Sequence, residues 1–253
     1  MRIIVLASGS KGNSTYIESN DTKVLIDLGL SYAQTKRALA EHDVDITEIK
    51  HVIITHLHSD HTLGLASFLK RNEAFVYTSK KNFKNLNKIV NQERIVLVEN
   101  SFNLEDININ FFHLSHDAPT IGLLIKMGDK EIVYATDTGY INYKYNEFLE
   151  NKNIYIIESN HDEEMLLNGP YPYHLKRRII GDSGHLSNRD SAKFLNEVIG
   201  ENTEIICLAH ISEHNNTPSL AYEEVSKIIG HKFNLDNLLV ASQDESLLIY
   251  EEV

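Results

Sequence analysis

The chain has 253 residues, 42% of them apolar and 24% charged, which suits a globular protein able to bury a sizeable core. No apolar run approaches the roughly 20 residues that span a bilayer, and Met1–Ala7 is too short for a signal-peptide apolar region, so the expectation is a cytoplasmic protein with no membrane partner. The net charge of −12 argues against indiscriminate nucleic-acid binding, but bound cations would supply positive charge locally. The one cysteine, Cys207, excludes an intramolecular disulfide, and Ile205, Ile206 and Leu208 around it mark a core position.

Short runs rich in Ile, Val, Leu, Tyr and Thr, bounded by Gly, Asn, Asp or Ser, predict strands at 2–7, 14–18 and 23–28. Ala33, Leu39 and Ala40 give 31–42 a helical spacing. Val52-Ile53-Ile54-Thr55 reads as a buried strand ending at His56, with a helix following at 62–70. Further helices are predicted at 80–91, 142–150, 188–199 and 219–230. Strands are predicted at 107–113, 120–127, 131–136, 154–158, 204–209, 238–241 and 246–250, with 242–245 as a turn. With four prolines and no low-complexity linker, residues 1–253 are expected to form a single domain. Consecutive strands early in each half, then alternating strands and helices, predict two mixed sheets with helices outside.

The chemistry concentrates in Thr55-His56-Leu57-His58-Ser59-Asp60-His61. Three imidazoles and a carboxylate follow a hydrophobic strand, a loop position where metal ligands are commonly mounted. An extended segment puts His56 and His58 on one side, while Asp60 and His61 project differently, which suits a second ion beside the first. Imidazole with carboxylate favours Zn²⁺, Mn²⁺ or Fe²⁺ over Ca²⁺. A His-rich surface loop or one structural zinc site are the plainer alternatives, and the full His-x-His-x-Asp-His pattern is more specific than either requires.

This pattern resembles the metallo-β-lactamase superfamily, and the resemblance runs along essentially the whole chain. Leu114-Ser115-His116-Asp117-Ala118, Tyr134-Ala135-Thr136-Asp137-Thr138-Gly139 and Leu208-Ala209-His210-Ile211-Ser212 follow in the family's order, each after an apolar strand. The resemblance implies an α/β fold, the αββα sandwich of two mixed sheets with helices on the outer faces. It also implies two divalent metal ions, one held by His56, His58 and His116, the other by Asp60, His61 and His210, with Asp137 bridging. His113 competes with His116, and the Ser-His-Asp-Ala context selects His116. Two ions about 3.5–4 Å apart lower the pKa of a shared water and stabilise charge in an in-line displacement.

Fold alone does not choose among thioesters, lactones and phosphodiesters. Ser8-Gly9-Ser10-Lys11-Gly12-Asn13-Ser14 exposes backbone N–H groups, hydroxyls and a lysine suited to phosphate, although taken alone a plain hairpin loop is the better explanation. Together with Gly184-His185-Leu186-Ser187 and the early metal motif, it resembles the WalJ (YycJ-like) branch of the superfamily. That resemblance implies a 5′-to-3′ exonuclease acting on duplex DNA from its 5′ end, with RNA as a second candidate substrate. It gives His185 a phosphate-binding or leaving-group role, beside the metal ligand Asp60; the residues themselves offer Ser10, Lys11, Asn13, Ser187 and Asn215 as further substrate contacts, with a helix cap as the other role for Ser187 and a plain turn for Asn215. Glu158 resembles an acidic motif that orients a ligand or His185; an ordinary strand-end acid is the alternative. Of the basic clusters, Lys176-Arg177-Arg178 lies nearer His185 than Lys80, Lys81, Lys84 and Lys88, which suit a solvated helix face. A small-molecule phosphodiesterase, an ester or lactone hydrolase, and a non-catalytic binding protein are the competing functions.

Overall fold

The computed structural model describes residues 1–252. Strands β1 (Arg2–Ala7), β2 (Ser14–Ser19) and β3 (Thr22–Ile26) form an antiparallel meander. Helix α1 (Tyr32–Ala40) then carries the chain across to β4 (His51–Ile53), which lies parallel to β3. Ser31 starts that helix with a capping box: its hydroxyl accepts from Gln34 N, and the Gln34 side chain accepts from Ser31 N. Short helices α2 (Ser59–Thr62) and α3 (Leu65–Leu69) lead to β5 (Phe75–Ser79), and the single turn α4 (Phe83–Leu86) leads to β6 (Ile95–Val98). Both strands extend the sheet in parallel.

The second half repeats the plan. Strands β7 (Ser101–Leu104), β8 (Ile107–Leu114), β9 (Thr120–Met127) and β10 (Lys130–Ala135) are antiparallel neighbours. Past α5 (Asn146–Leu149), β11 (Ile154–Glu158) pairs parallel with β10. Helices α6 (Glu163–Asn168), α7 (Tyr173–Ile180) and α8 (Asn188–Val198) precede β12 (Ile205–Ala209), and α9 (Pro218–Ile229) precedes β13 (Leu238–Val240). Both strands are again parallel additions. Finally β14 (Leu247–Glu251) returns to the first sheet and pairs antiparallel with β1. Among the described residues the result is two seven-stranded sheets, ordered β14-β1-β2-β3-β4-β5-β6 and β13-β12-β11-β10-β9-β8-β7.

Period-two alternation builds the layers. Ile3 and Val5 of β1 and Ile154 and Ile156 of β11 point between the sheets, joined there by Cys207. Their neighbours Ile4 and Leu6 face outward onto Leu39 and Phe68, while Tyr155 and Ile157 face Leu195 and Val225. Three apolar layers thus close an αββα sandwich, each fully buried Ile or Leu contributing about 1.5–3 kcal/mol. Burial pushes the Cys207 thiol up to about 12, which suits a packing role. No helix among the described residues is long and apolar enough to cross a membrane.

Several boundaries differ from the sequence reading. The stretch at 80–91 is a 3-10 turn over Lys80–Asn82 and one helical turn over Phe83–Leu86, not a continuous helix. Four asparagines between 82 and 91 are poor helix formers and compete for the backbone through their side chains. The lysines therefore form no helical stripe, and Lys88 donates to Asn85 Oδ1. Likewise 142–150 is a 3-10 turn and a short helix, and the helix expected at 62–70 is α2 and α3. Strands β5, β6 and β7 were not foreseen: β6 and β7 are edge strands, where one exposed flank blurs the apolar pattern. Helices α6 and α7 fill the segment between 160 and 184.

Candidate metal centre

The carboxyl ends of β3, β4, β8, β10, β11 and β12 meet at one edge of the sandwich, and the residues just past them carry the site. At three of these ends the chain turns through the left-handed region: Asp27 (φ 61°), Asp137 (φ 61°) and His210 (φ 55°). Such a residue reverses the strand at once and leaves its side chain at the sheet edge. Glycine is required where the loops cross. A Cβ on Gly29 would lie 1.7 Å from Asp60 O and 2.5 Å from Asn13 N, so only glycine lets these backbones touch.

The sequence-selected histidines and aspartates converge into two adjoining groups. His56 Nε2 lies 3.1 Å from His58 Nδ1, which lies 3.3 Å from His116 Nε2. Asp60, His61, Asp137 and His210 form the other, with Asp60 Oδ2 3.7 Å from both His61 Nε2 and His210 Nε2. The groups adjoin at Asp137, whose Oδ1 is 4.0 Å from His116 Nε2 and whose Oδ2 is 3.1 Å from His61 Nε2. His113 is exposed on the other side of the β8 terminus and belongs to neither group.

Four of these imidazoles have their second nitrogen engaged. His61 Nδ1 is 2.7 Å from Asp27, His210 Nδ1 is 2.7 Å from Glu158, and His116 Nδ1 donates to Gly184 O at 3.0 Å. His56 Nδ1 is 3.1 Å from Thr55 Oγ1, and that hydroxyl donates to Asp27. This fixes each ring and leaves Nε2 directed at the centre, the arrangement of a supported metal ligand. Asp27 therefore serves both groups, directly at His61 and through Thr55 at His56. Sequence reasoning missed it; the available signal was an aspartate within the apolar run predicted as a strand at 23–28, whose observed strand ends one residue before it. Glu158 holds more: its Oε1 faces the Nδ1 atoms of His185 (2.8 Å) and His210, and its Oε2 accepts from Thr138 N and Leu186 N.

The residues fit divalent cations. Tetrahedral ligation at about 2.0–2.1 Å puts ligand nitrogens about 3.4 Å apart, near the spacings of the first group. In the second, Asp137 Oδ2 and His210 Nε2 are buried with no aligned hydrogen-bond partner, a state that a cation relieves. The charges agree. Burial resists charge on His61 and His210, yet Asp137 outweighs it with Asp27 at His61 and with Asp60 and Glu158 at His210, raising the first to about 10 and the second well above its usual range. Burial likewise opposes ionisation of Asp137, and His210, His61 and His56 overcome it, holding Asp137 well below the ordinary carboxylate range. A site that gathers protons around carboxylates is one where a metal displaces those protons on binding.

A cavity of about 380 Å³ opens over the centre, lined by Ser10, Asp60, Asn160, Arg178, His185 and Ser212 among others. Ser10 and His185 thus reach it. The other residues assigned to substrate are placed elsewhere. Lys11 pairs with Glu213 at 2.6 Å on the exposed rim. Asn13 is buried, donating to Gly9 O and lying 3.0 Å from His61 Nε2. Ser187 caps α8 by accepting from Asp190 N. Asn215 is fully buried against Gly169. In the basic cluster, Lys176 donates to Leu167 O and Gly169 O, while Arg178 lines the cavity and pairs with Asp117 at 2.6 Å.

A two-sheet sandwich with paired His/Asp clusters at one edge defines a metal-dependent hydrolase of the metallo-β-lactamase fold, and residues 22–211 match the family model of the β-lactamase superfamily domain. The chain is 34% identical to the exodeoxyribonuclease YycJ of Bacillus anthracis over 234 residues, 90% of this chain and 89% of that protein. It is 38% identical to the exodeoxyribonuclease WalJ of Streptococcus pneumoniae over 227 residues, 86% and 84% of the two chains. The chain therefore belongs to the metallo-β-lactamase superfamily, in the branch that contains these two proteins. The metallo-β-lactamase fold protein YhfI of Bacillus subtilis superposes with a TM-score of 0.72 at 15% identity, covering 98% of this chain and all of that one.

Proposed function

We propose that the chain is a dinuclear phosphodiesterase that removes nucleotides from DNA in the 5′-to-3′ direction. The observation that carries this reading is the open, polar cavity over two adjoining ligand groups, with Arg178 and His185 on its wall. His56, His58 and His116 would hold one ion, Asp60, His61 and His210 the other, and Asp137 would serve both. When bound, Zn²⁺, Mn²⁺ or Fe²⁺ ions supply the charge that acidifies water and offsets the phosphodiester's negative oxygens. Asp60 orients its share of this centre from the N-terminal turn of α2. Glu158 takes His185 Nδ1 and leaves Nε2 as the ring atom available to the cavity, suited to contacting a phosphate oxygen or proton transfer to the leaving oxygen. Arg178 is exposed enough to exchange Asp117 for a phosphate. The names of the two relatives support DNA as substrate. A small-molecule esterase calls for a more enclosed, apolar pocket than this one.

The test is digestion of 5′- and 3′-labelled duplexes with added Mn²⁺. Wild type releases nucleotides progressively from the 5′ end, and Asp60→Ala abolishes release. His185→Ala lowers the rate by about 10²–10⁴-fold while retaining metal. Intact DNA alongside rapid cleavage of a lactone would overturn the reading.

A further inference from the structure

A second hollow, of about 330 Å³, lies on the far side of the β8 terminus. Its wall includes Ser79, Lys81, His113, His116, Asp117 and Pro119. It meets the cavity over the metal centre at the His58–His116–Asp117 contact, where Asp117 Oδ1 is 3.2 Å from His58 Nε2 and 3.4 Å from His116 Nε2. Asp117 is the one carboxylate among the residues lining it, and it lies against His58 and His116 as well as Arg178. Lys144, on the turn that follows β10, adds to the same patch: after burial, Lys81 and Lys144 are what push His113 down. Among the described residues, Lys80, Lys81, Lys84 and Lys144 take part in none of the ion pairs, although the chain carries twelve more acidic than basic side chains. Tyr143, next to Lys144 on the same turn, is 83% exposed. Lys81 in the groove wall, with Lys144 close enough to act on the His113 of that wall, matches a polyanion that must be steered to one place in an otherwise acidic protein.

We propose that this groove, with Lys81 on its wall and Lys144 near its His113, holds the phosphodiester backbone of the DNA strand as it continues beyond the scissile phosphate. The inference rests on the phosphodiesterase reading and adds where the rest of the strand lies. With the scissile phosphate over the ligand groups, the strand passes His116 and Asp117 and follows the lysines. Tyr143 offers a ring face to a base there.

The experiment compares kcat/KM on a single-stranded 20-mer with kcat/KM on bis(p-nitrophenyl) phosphate, in Mn²⁺-loaded protein. Lys81→Glu and Lys144→Glu should each lower the ratio of the two by about tenfold or more, chiefly through KM for the oligonucleotide. Lys81→Ala should make the plot of log kcat/KM against log salt shallower by about 0.7 for the oligonucleotide. Lys36→Glu, on the exposed face of α1, controls for net charge and should leave the ratio at the wild-type value. Ratios and salt slopes equal to that control in both variants would overturn the groove while leaving the nuclease reading intact. A wild type that cleaves the small diester but no oligonucleotide would overturn both.

Discussion

Replacing Glu158 by Gln preserves shape and removes one acceptor in a fully buried position. The carboxylate now serves four groups: the imidazoles of His185 and His210 at Oε1, and the amides of Thr138 and Leu186 at Oε2. A glutamine has one oxygen and must choose. With the oxygen toward the imidazoles, its NH₂ confronts two buried backbone donors, each worth about 1–3 kcal/mol when orphaned, or roughly 2–6 kcal/mol together. That is a large part of the about 5–15 kcal/mol that holds a domain folded, and shifts the melting point by at least about 4 °C. With the oxygen toward the amides, the NH₂ donates to His210 Nδ1 and forces the ring proton onto Nε2, the atom facing the ligand group. Metal affinity then falls about 10–100-fold, the usual consequence of losing an orienting partner. Thermal melting, paired with metal content after dialysis against buffered Mn²⁺ or Zn²⁺, reads both branches. A Glu158→Gln protein that melts with wild type and keeps wild-type metal affinity would refute the role given to this carboxylate.

Three further outcomes follow from the packing. Gly29→Ala should displace the Asp60 backbone, costing about 1–3 kcal/mol and weakening metal retention, measured by urea unfolding and metal analysis. Tyr155→Phe removes a hydroxyl that donates toward Leu149 O and Val198 O and accepts from Lys152 N; it should lose about 1–3 kcal/mol while turnover is unchanged, since this β11 side chain faces the outer helical layer. Burial lowers His161 from 6.5 to about 4, so below pH 6.5 the unfolded chain binds a proton that the native chain refuses. Wild type should therefore lose about 3 kcal/mol as pH falls from 6.5 to 4, in chemical denaturation, and His161→Gln should lack that component. An identical acid limb in the two proteins would show that His161 titrates normally.

What was legible in the sequence was whatever a strand end made local. His56, His58, Asp60 and His61 occupy one short loop, and His116, Asp137 and His210 each follow an apolar run, so order and context were enough to gather them. The two-layer plan was readable from the same runs, because Ile3/Ile4 and Tyr155/Ile156 alternate between layers in a strict period of two. The partners that hold the ligands were less visible. Asp27 is distant in sequence from His61, and only the parallel pairing of β3 with β4 brings its carboxylate to Thr55 and onward to that ring. Substrate contact was least legible. Asn13 and Asn215 have the chemistry for binding phosphate, yet the turns containing them fold those side chains inward, a matter of tertiary packing that composition does not encode.

The left-handed turns at Asp27, Asp137 and His210 set the site against the stability of its own scaffold. A side chain in that region is disfavoured by roughly 1–2 kcal/mol, with Asp less penalised than His. Ser8 Oγ and Asn160 Nδ2 clamp the His210 peptide from both sides, accepting from its N–H and donating to its carbonyl. Glycine at Asp137 or His210 would relax the backbone and erase a functional group, whereas at Asp27 it would also orphan the buried Thr55 N–H and hydroxyl and cost more than the strain it relieves. Selection for heat tolerance alone would therefore tend to drift toward inert proteins at the first two positions and hold the third. A library recovered by thermal challenge and then sorted for activity should separate sharply at 137 and 210, marking those two turns without any substrate in hand.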